Sequence, residues 1–199
     1  MPGGVSGTVV SPSWWNPPGK RAIFTLKPVC KFYGGDMATQ VTFDDIVRYL
    51  RAERIPFGIG KNNRIMLTLA GENTTLNVQV AFLWEKEIIC LWAAYPFHSP
   101  SSSLEEVIEL AARINWGLLF SSSEVNPDTG AIRFRSTMLV DDAPFNREQF
   151  KTLFATACSL ADRYAPAFRR VIEGGSVEEA LAMVEHSPGD TPRDIPSRT

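Results

Sequence analysis

Few residues in this chain could carry chemistry. Its 199 residues include only two histidines, His98 and His186, and three cysteines, Cys30, Cys90 and Cys158. His98 stands beside Ser99, Ser101, Ser102 and Ser103, where a base could meet a hydroxyl nucleophile. Such a pair also needs an orienting third group and an oxyanion hole. No Gly-x-Ser-x-Gly elbow is there to supply them. The serines read instead as the cap of a following helix. Gly58-Ile59-Gly60-Lys61 resembles a phosphate loop only in passing. That loop needs a glycine five residues before its Gly-Lys pair and Ser or Thr after it, and Ile55 and Asn62 fill those places. It reads as a turn.

Paired carboxylates occur at Asp44/Asp45, Glu105/Glu106, Asp141/Asp142 and Glu178/Glu179. Acid–base chemistry would need two carboxylates facing one cleft with separated pKa values. Three of the four pairs fall instead in the first turn of a predicted helix, where negative charge complements the macrodipole. No His or Cys pair has metal-ligand spacing. The residues therefore point to no metal, no cofactor and no catalytic group. The aromatics say more: Phe82, Trp84, Trp92, Tyr95 and Trp116 gather on two central strands or at the end of a helix.

The elements that position these residues follow from periodicity. Thr42, with Asp45 three residues on, caps an amphipathic helix over about 42–54, which Pro56 ends. Phe57 and Ile59, the turn Lys61-Asn62-Asn63-Arg64, and Ile65, Leu67 and Leu69 form a hairpin, because paired Asn tolerates positive φ. Strands follow at about 78–84 and 88–95, joined at Glu85-Lys86. A helix from Leu104 closes near Gly117, and two strands at about 118–124 and 131–140 flank the turn Asn126–Gly130. Asn146 caps a long helix to about Glu173 that Pro166 should kink or split. Gly174-Gly175 stops it, and Ser176 opens a last short helix. The predicted order is α-β-β-β-α-β-β-α plus a short C-terminal helix, an α+β fold with an antiparallel sheet.

Residues 1–36 form a separate arm in this reading. Residues 1–35 hold five prolines, four basic residues and no Asp or Glu, which suits an extended or disordered segment. Part of it could be an upstream extension of a domain beginning near Met37, and Trp14-Trp15 could let it dock. Residues 186–199, with three prolines and one large apolar residue, read as a disordered tail. The body is 37–185.

Several strings in that body resemble the YbjN-type domain of the type III secretion chaperone-like superfamily. They are Ile46-Val47-Arg48-Tyr49-Leu50, the Ile114-Asn115 pair, Asp128-Thr129-Gly130-Ala131-Ile132-Arg133, the Ala161-Asp162 pair, and Gly175-Ser176-Val177-Glu178-Glu179-Ala180-Leu181. The resemblance covers about 40–185 and leaves the arm outside. It implies a non-enzymatic, cofactor-free protein that binds a peptide or a partner protein as a chaperone or adaptor, often as a homodimer.

Composition agrees with that expectation. The net charge of −2 argues against nucleic acid as the default partner. No apolar run reaches the roughly 18–20 residues of a membrane span. Three scattered cysteines suit a reducing, cytoplasmic compartment. The strand at 88–95 is apolar on both faces, so its sheet expects two covers: helices on one side, and a third helix, a twin subunit or a bound peptide on the other. The candidate partner-binding residues are Trp84, Leu91, Trp92, Tyr95 and Trp116. Two alternatives stand beside this reading: a small α+β hydrolase or transferase with its site near His98, and a purely structural assembly subunit.

Overall fold

The computed structural model describes residues 42–83, 88–140 and 145–185. The arm 1–36, the tail 186–199, Trp84 and the Asp141/Asp142 pair lie outside the described residues.

Helix α1 (Phe43–Ala52) begins at the predicted cap. The Asp45 N–H donates to Thr42 Oγ1, and the Thr42 N–H donates back to the Asp45 carboxylate at 2.7 Å. Strands β1 (Gly58–Ile59), β2 (Ile65–Ala70), β3 (Thr75–Leu83) and β4 (Ile88–His98) follow, then α2 (Leu104–Gly117), β5 (Ser121–Val125), β6 (Ala131–Leu139), α3 (Arg147–Ile172) and α4 (Val177–Glu185). The strands form one sheet in the order β1-β2-β3-β4-β6-β5, every pair antiparallel. The fold is α+β, as expected, with one strand more: the first arm of the hairpin makes its own two-residue strand. Asn62 and Asn63 turn it with φ of 58° and 51°.

Two expectations need correction. Pro166 does not split α3, which runs as one helix through it; its fixed φ of about −65° is a helical value. Ser103 does not cap α2 with its side chain. Ser101–Ser103 form a 3₁₀ turn instead, and Ser99 Oγ contacts the Pro100 carbonyl at 3.0 Å and Ser103 Oγ at 3.4 Å.

The core lies on one face of the sheet. Leu76, Val78 and Val80 of β3, Ile89, Leu91, Ala93 and Tyr95 of β4, and Ile132 and Phe134 of β6 alternate into it. α3 covers them with Phe150, Phe154, Ala157, Ala161 and Phe168. Tyr95 Oη donates to the Ala161 carbonyl at 2.6 Å, and the Phe134 and Phe168 rings meet edge-on. α2 lies on the same side, where Ser123 Oγ donates to the Ala111 carbonyl. α1 joins through Tyr49, edge-on to Phe150. Gly130 makes the β5–β6 turn possible: its φ is +67°, and a Cβ there would lie 2.0 Å from the Ser99 carbonyl oxygen.

Candidate functional site

The opposite face of the sheet carries no helix among the described residues, and Trp92 sits in its interior. Alternation puts Ile88, Cys90, Trp92 and Ala94 of β4 there. Register sets the neighbours: Met66, Gln79, Trp92, Arg135 and Ser122 form one row across five strands. Thr68, Asn77, Ala94, Arg133 and Glu124 form the next. This face is apolar along β4, with Met66 of β2, Ala81 and Leu83 of β3 and Leu139 of β6 adding to it. The expected second greasy face is in fact mixed, because β3 and β6 contribute Asn77, Gln79, Arg133 and Arg135 beside the apolar strip. A single strand's pattern cannot show what lies across from it.

Two guanidinium groups sit by the Trp92 ring, Arg64 at 5.7 Å and Arg133 at 5.5 Å from its centroid, within cation–π range. Glu124 bridges Arg133 at 2.7 Å and Arg135 at 2.9 Å. The Trp92 Nε1–H is buried and has no hydrogen-bond partner among the described residues. On the same face Cys90 lies 3.7 Å from Thr137 Oγ1, and burial pushes its thiol pKa up.

The five predicted site residues do not form one surface. Leu91 and Tyr95 are core residues under α3, so a partner could reach them only by opening the domain. Burial, with Asp162 adding to it, raises the Tyr95 phenol well above its ordinary range. Trp92 is on the open face. Trp84 lies outside the described residues. Trp116 is at the C-terminus of α2; sequence reasoning missed the other large apolar side chains left exposed just after α2 and at the end of β6. Trp116, Leu119, Phe120 and Leu139 are all 79–94% exposed. A hollow of about 440 Å³ lies beside Phe120, bordered also by Thr137, Met138 and Leu153.

The sheet edges are treated unequally. The Ser123 N–H donates to Asn115 Oδ1 at 2.7 Å, and Asn115 Nδ2 donates to the Ser123 carbonyl at 3.0 Å. These are the two bonds an added strand would make, so Asn115 occupies the middle of the β5 edge. β1 pairs only with Ile65 and Met66, so the outer side of Leu67–Ala70 has no strand partner among the described residues. The same holds for Thr137–Leu139 beyond the end of β5.

A second cleft, of about 910 Å³, lies between the β2–β3 turn, α3 and α4. Its polar groups serve the fold: Asp162 accepts the N–H groups of Glu72, Asn73 and Thr74, and Arg163 donates to the Val184 carbonyl. Around His98 the serine hydroxyls turn to Pro100 and to each other, and none bonds the imidazole among the described residues. Among the described residues no group of three His, Cys, Asp or Glu side chains could hold a metal ion. No helix among them is long and apolar enough to cross a membrane.

Comparison with known proteins gives one family. The YbjN family, described as "Putative bacterial sensory transduction regulator", matches residues 42–170. No curated protein matches the sequence. Among solved structures the chain is similar to "YbjN, a putative transcription regulator from E. coli", at 14% identity and a TM-score of 0.47, covering 73% of this chain and 91% of that one. It is also similar to the ExsC–ExsE complex, at 19% identity and a TM-score of 0.45, covering 62% of this chain and 92% of that one. The HopA1–SchA chaperone–effector complex matches at 11% identity and a TM-score of 0.39, covering 66% and 94%.

Proposed function

This chain belongs to the YbjN family, and on that premise we propose that it is a non-enzymatic protein-binding module, a chaperone or adaptor for a partner protein in the cytoplasm. The body 37–185 is the binding unit, with the arm and tail appended. One observation carries the reading: the described helices cover one face of the sheet and leave the face around Trp92 without a helix. A partner segment adds backbone hydrogen bonds along the open outer side of Leu67–Ala70 and sends side chains over the face toward Trp92. From that added strand Trp92 is three strand spacings away, roughly 14 Å.

The exposed large apolar side chains support self-association as a homodimer. Large aromatic side chains each offer about 150–250 Å², so Trp116 and Phe120 with Leu119 and Leu139 approach the roughly 800 Å² per partner of a standard interface. Leu139 pairs in register with Ile88 and so borders the Trp92 face.

Capture from native lysate on the tagged chain, read by mass spectrometry, tests the proposal. A Trp92→Ala variant of unchanged circular dichroism is the control. A dominant co-purifying protein lost in the variant supports the binding module. Self-association alone, unchanged in the variant, overturns it. A Trp116→Asp variant examined by light scattering tests the dimer: it should run as a monomer, and a dimer of unchanged strength would refute that interface.

A further inference from the structure

Resting on the binding-module reading, we infer that the open face around Trp92 receives an acidic segment of the partner protein, its carboxylates seated among Arg64, Arg133 and Arg135. The charge count on this face points that way. Three guanidinium groups meet one carboxylate on the described strands, and Glu124 is already shared between Arg133 and Arg135. Arg64 has no acidic partner among the described residues; its guanidinium makes a long 3.4 Å contact to Gln79 Oε1.

The Trp92 indole adds a second, independent sign. A buried indole N–H usually finds an acceptor, yet Trp92 Nε1 has none among the described residues. The charged groups seen against the ring are donors, Arg64 and Arg133 beside it and Arg135 across from it in register, and Glu124, the carboxylate on the described strands here, is engaged by Arg133 and Arg135. A carboxylate is the group that answers both deficits, accepting from Nε1–H and pairing with a guanidinium through charge-assisted bonds. A segment that continues from the β2 edge across this face meets Arg64 first and Arg133 and Arg135 further on, with its apolar residues against the Trp92–Met66 strip.

Peptide carboxylates suit the site better than a nucleic-acid backbone. From residue 36 onward the chain carries 16 basic and 22 acidic residues. A long polyanion would meet repulsion beyond the arginine cluster, while a short acidic segment experiences mainly the charges within a Debye length of about 8–10 Å.

Three fluorescein-labelled probes of equal length test this by anisotropy on the full chain: a peptide alternating Glu with Leu, one alternating Lys with Leu, and oligothymidylate. The Glu–Leu peptide should bind tightest. Its affinity should fall roughly tenfold in Arg64→Gln, the loss of one hydrogen bond to a charged group, and fall again as salt rises from about 50 to about 500 mM. Trp92→Phe, which keeps the ring packing and removes the N–H, should also weaken it. Equal binding of the Lys–Leu peptide, indifference to Arg64→Gln, or a preference for oligothymidylate would each overturn the inference. If no probe binds while the lysate partner is still held by the wild type and lost in Trp92→Ala, the acidic-segment inference falls and the binding module stands.

Discussion

Asp162 and Gly71 meet where α3 holds the β2–β3 turn, and substituting each gives a quantitative test of that junction. Asp162 accepts the backbone N–H groups of Glu72, Asn73 and Thr74, each at 3.0 Å, and Asn73 Nδ2 at 3.3 Å. Arg169, seven residues on along α3, donates to the Asn73 carbonyl and to Thr74 Oγ1. Hydrogen bonds to an ionised group are worth about 1.5–3 kcal/mol each when buried. These lie mostly at the surface, so about 1 kcal/mol each is the fair figure, and Asp162→Ala should cost about 3 kcal/mol. The corresponding fall in Tm is about 6–12 °C for a chain of this size.

A Cβ on Gly71 would lie 2.0 Å from Asp162 Oδ1 and 2.4 Å from its Cγ. Gly71→Ala must therefore displace the carboxylate and lose much of the same set of bonds, at about 2–3 kcal/mol. Because both substitutions remove one set of interactions, the double variant should lose about 3 kcal/mol rather than the sum. The coupling of about 2–3 kcal/mol sits at the upper end for contacting residues. Urea unfolding followed by circular dichroism on the four proteins measures it. Additivity within about 0.5 kcal/mol, or a neutral Gly71→Ala, would refute the junction described.

Three further predictions test other parts of the account. Asn115→Leu removes both edge bonds to Ser123 and should produce concentration-dependent self-association by light scattering, with faster hydrogen exchange at the Ser123 amide; unchanged association and exchange would show that Asn115 does not close that edge. Desolvation of the Asp45 carboxyl raises its pKa, but hydrogen bonds from Thr42 and the charge of Arg48 outweigh it and hold the group below its ordinary value of 3.8. A folded pKa below the unfolded one gives stability that is present above the unfolded pKa and lost as pH falls through the folded pKa. The penalty of Asp45→Asn should thus be larger at neutral pH than in acid below the folded pKa of Asp45, and a penalty independent of pH would contradict it. Burial pushes the Cys158 thiol up to about 12, so alkylation at pH 8, mapped by peptide mass spectrometry, should be about a thousandfold slower folded than in urea; equal rates would show the thiol is open to solvent.

What was legible in the sequence was local. Thr42 with Asp45, the Asn62-Asn63 turn, Asn126–Gly130, Asn146 and Ser176 all signal within four residues, and each stands where its chemistry places it. The alternation of β4 was equally plain. Which of its faces meets the helices was not, because Ile88, Cys90 and Trp92 are as apolar as Ile89, Leu91 and Ala93. That choice is made by register, which pairs Trp92 with Gln79 and Arg135. For the same reason Leu91 and Tyr95 looked like surface candidates and are core. The Asp162 contacts span 88–90 residues of sequence, and neither periodicity nor capping rules reach that far. Asp162 and Asn115 were visible only as members of strings shared with the family. Leu119, Phe120 and Leu139 were missed because apolar residues near strand ends read as core until an edge leaves them outside.

The central claim is that the partner lies on the helix-free face of the sheet. Site-specific photo-crosslinking from two methionine positions tests it most directly, because Met66 on that face and Met183 on α4 are matched in exposure at 49% and 53%. A benzoylphenylalanine at Met66 should crosslink the lysate partner, and the same group at Met183 should not. A partner captured from Met183 and not from Met66 would put binding on the helical side and contradict the account.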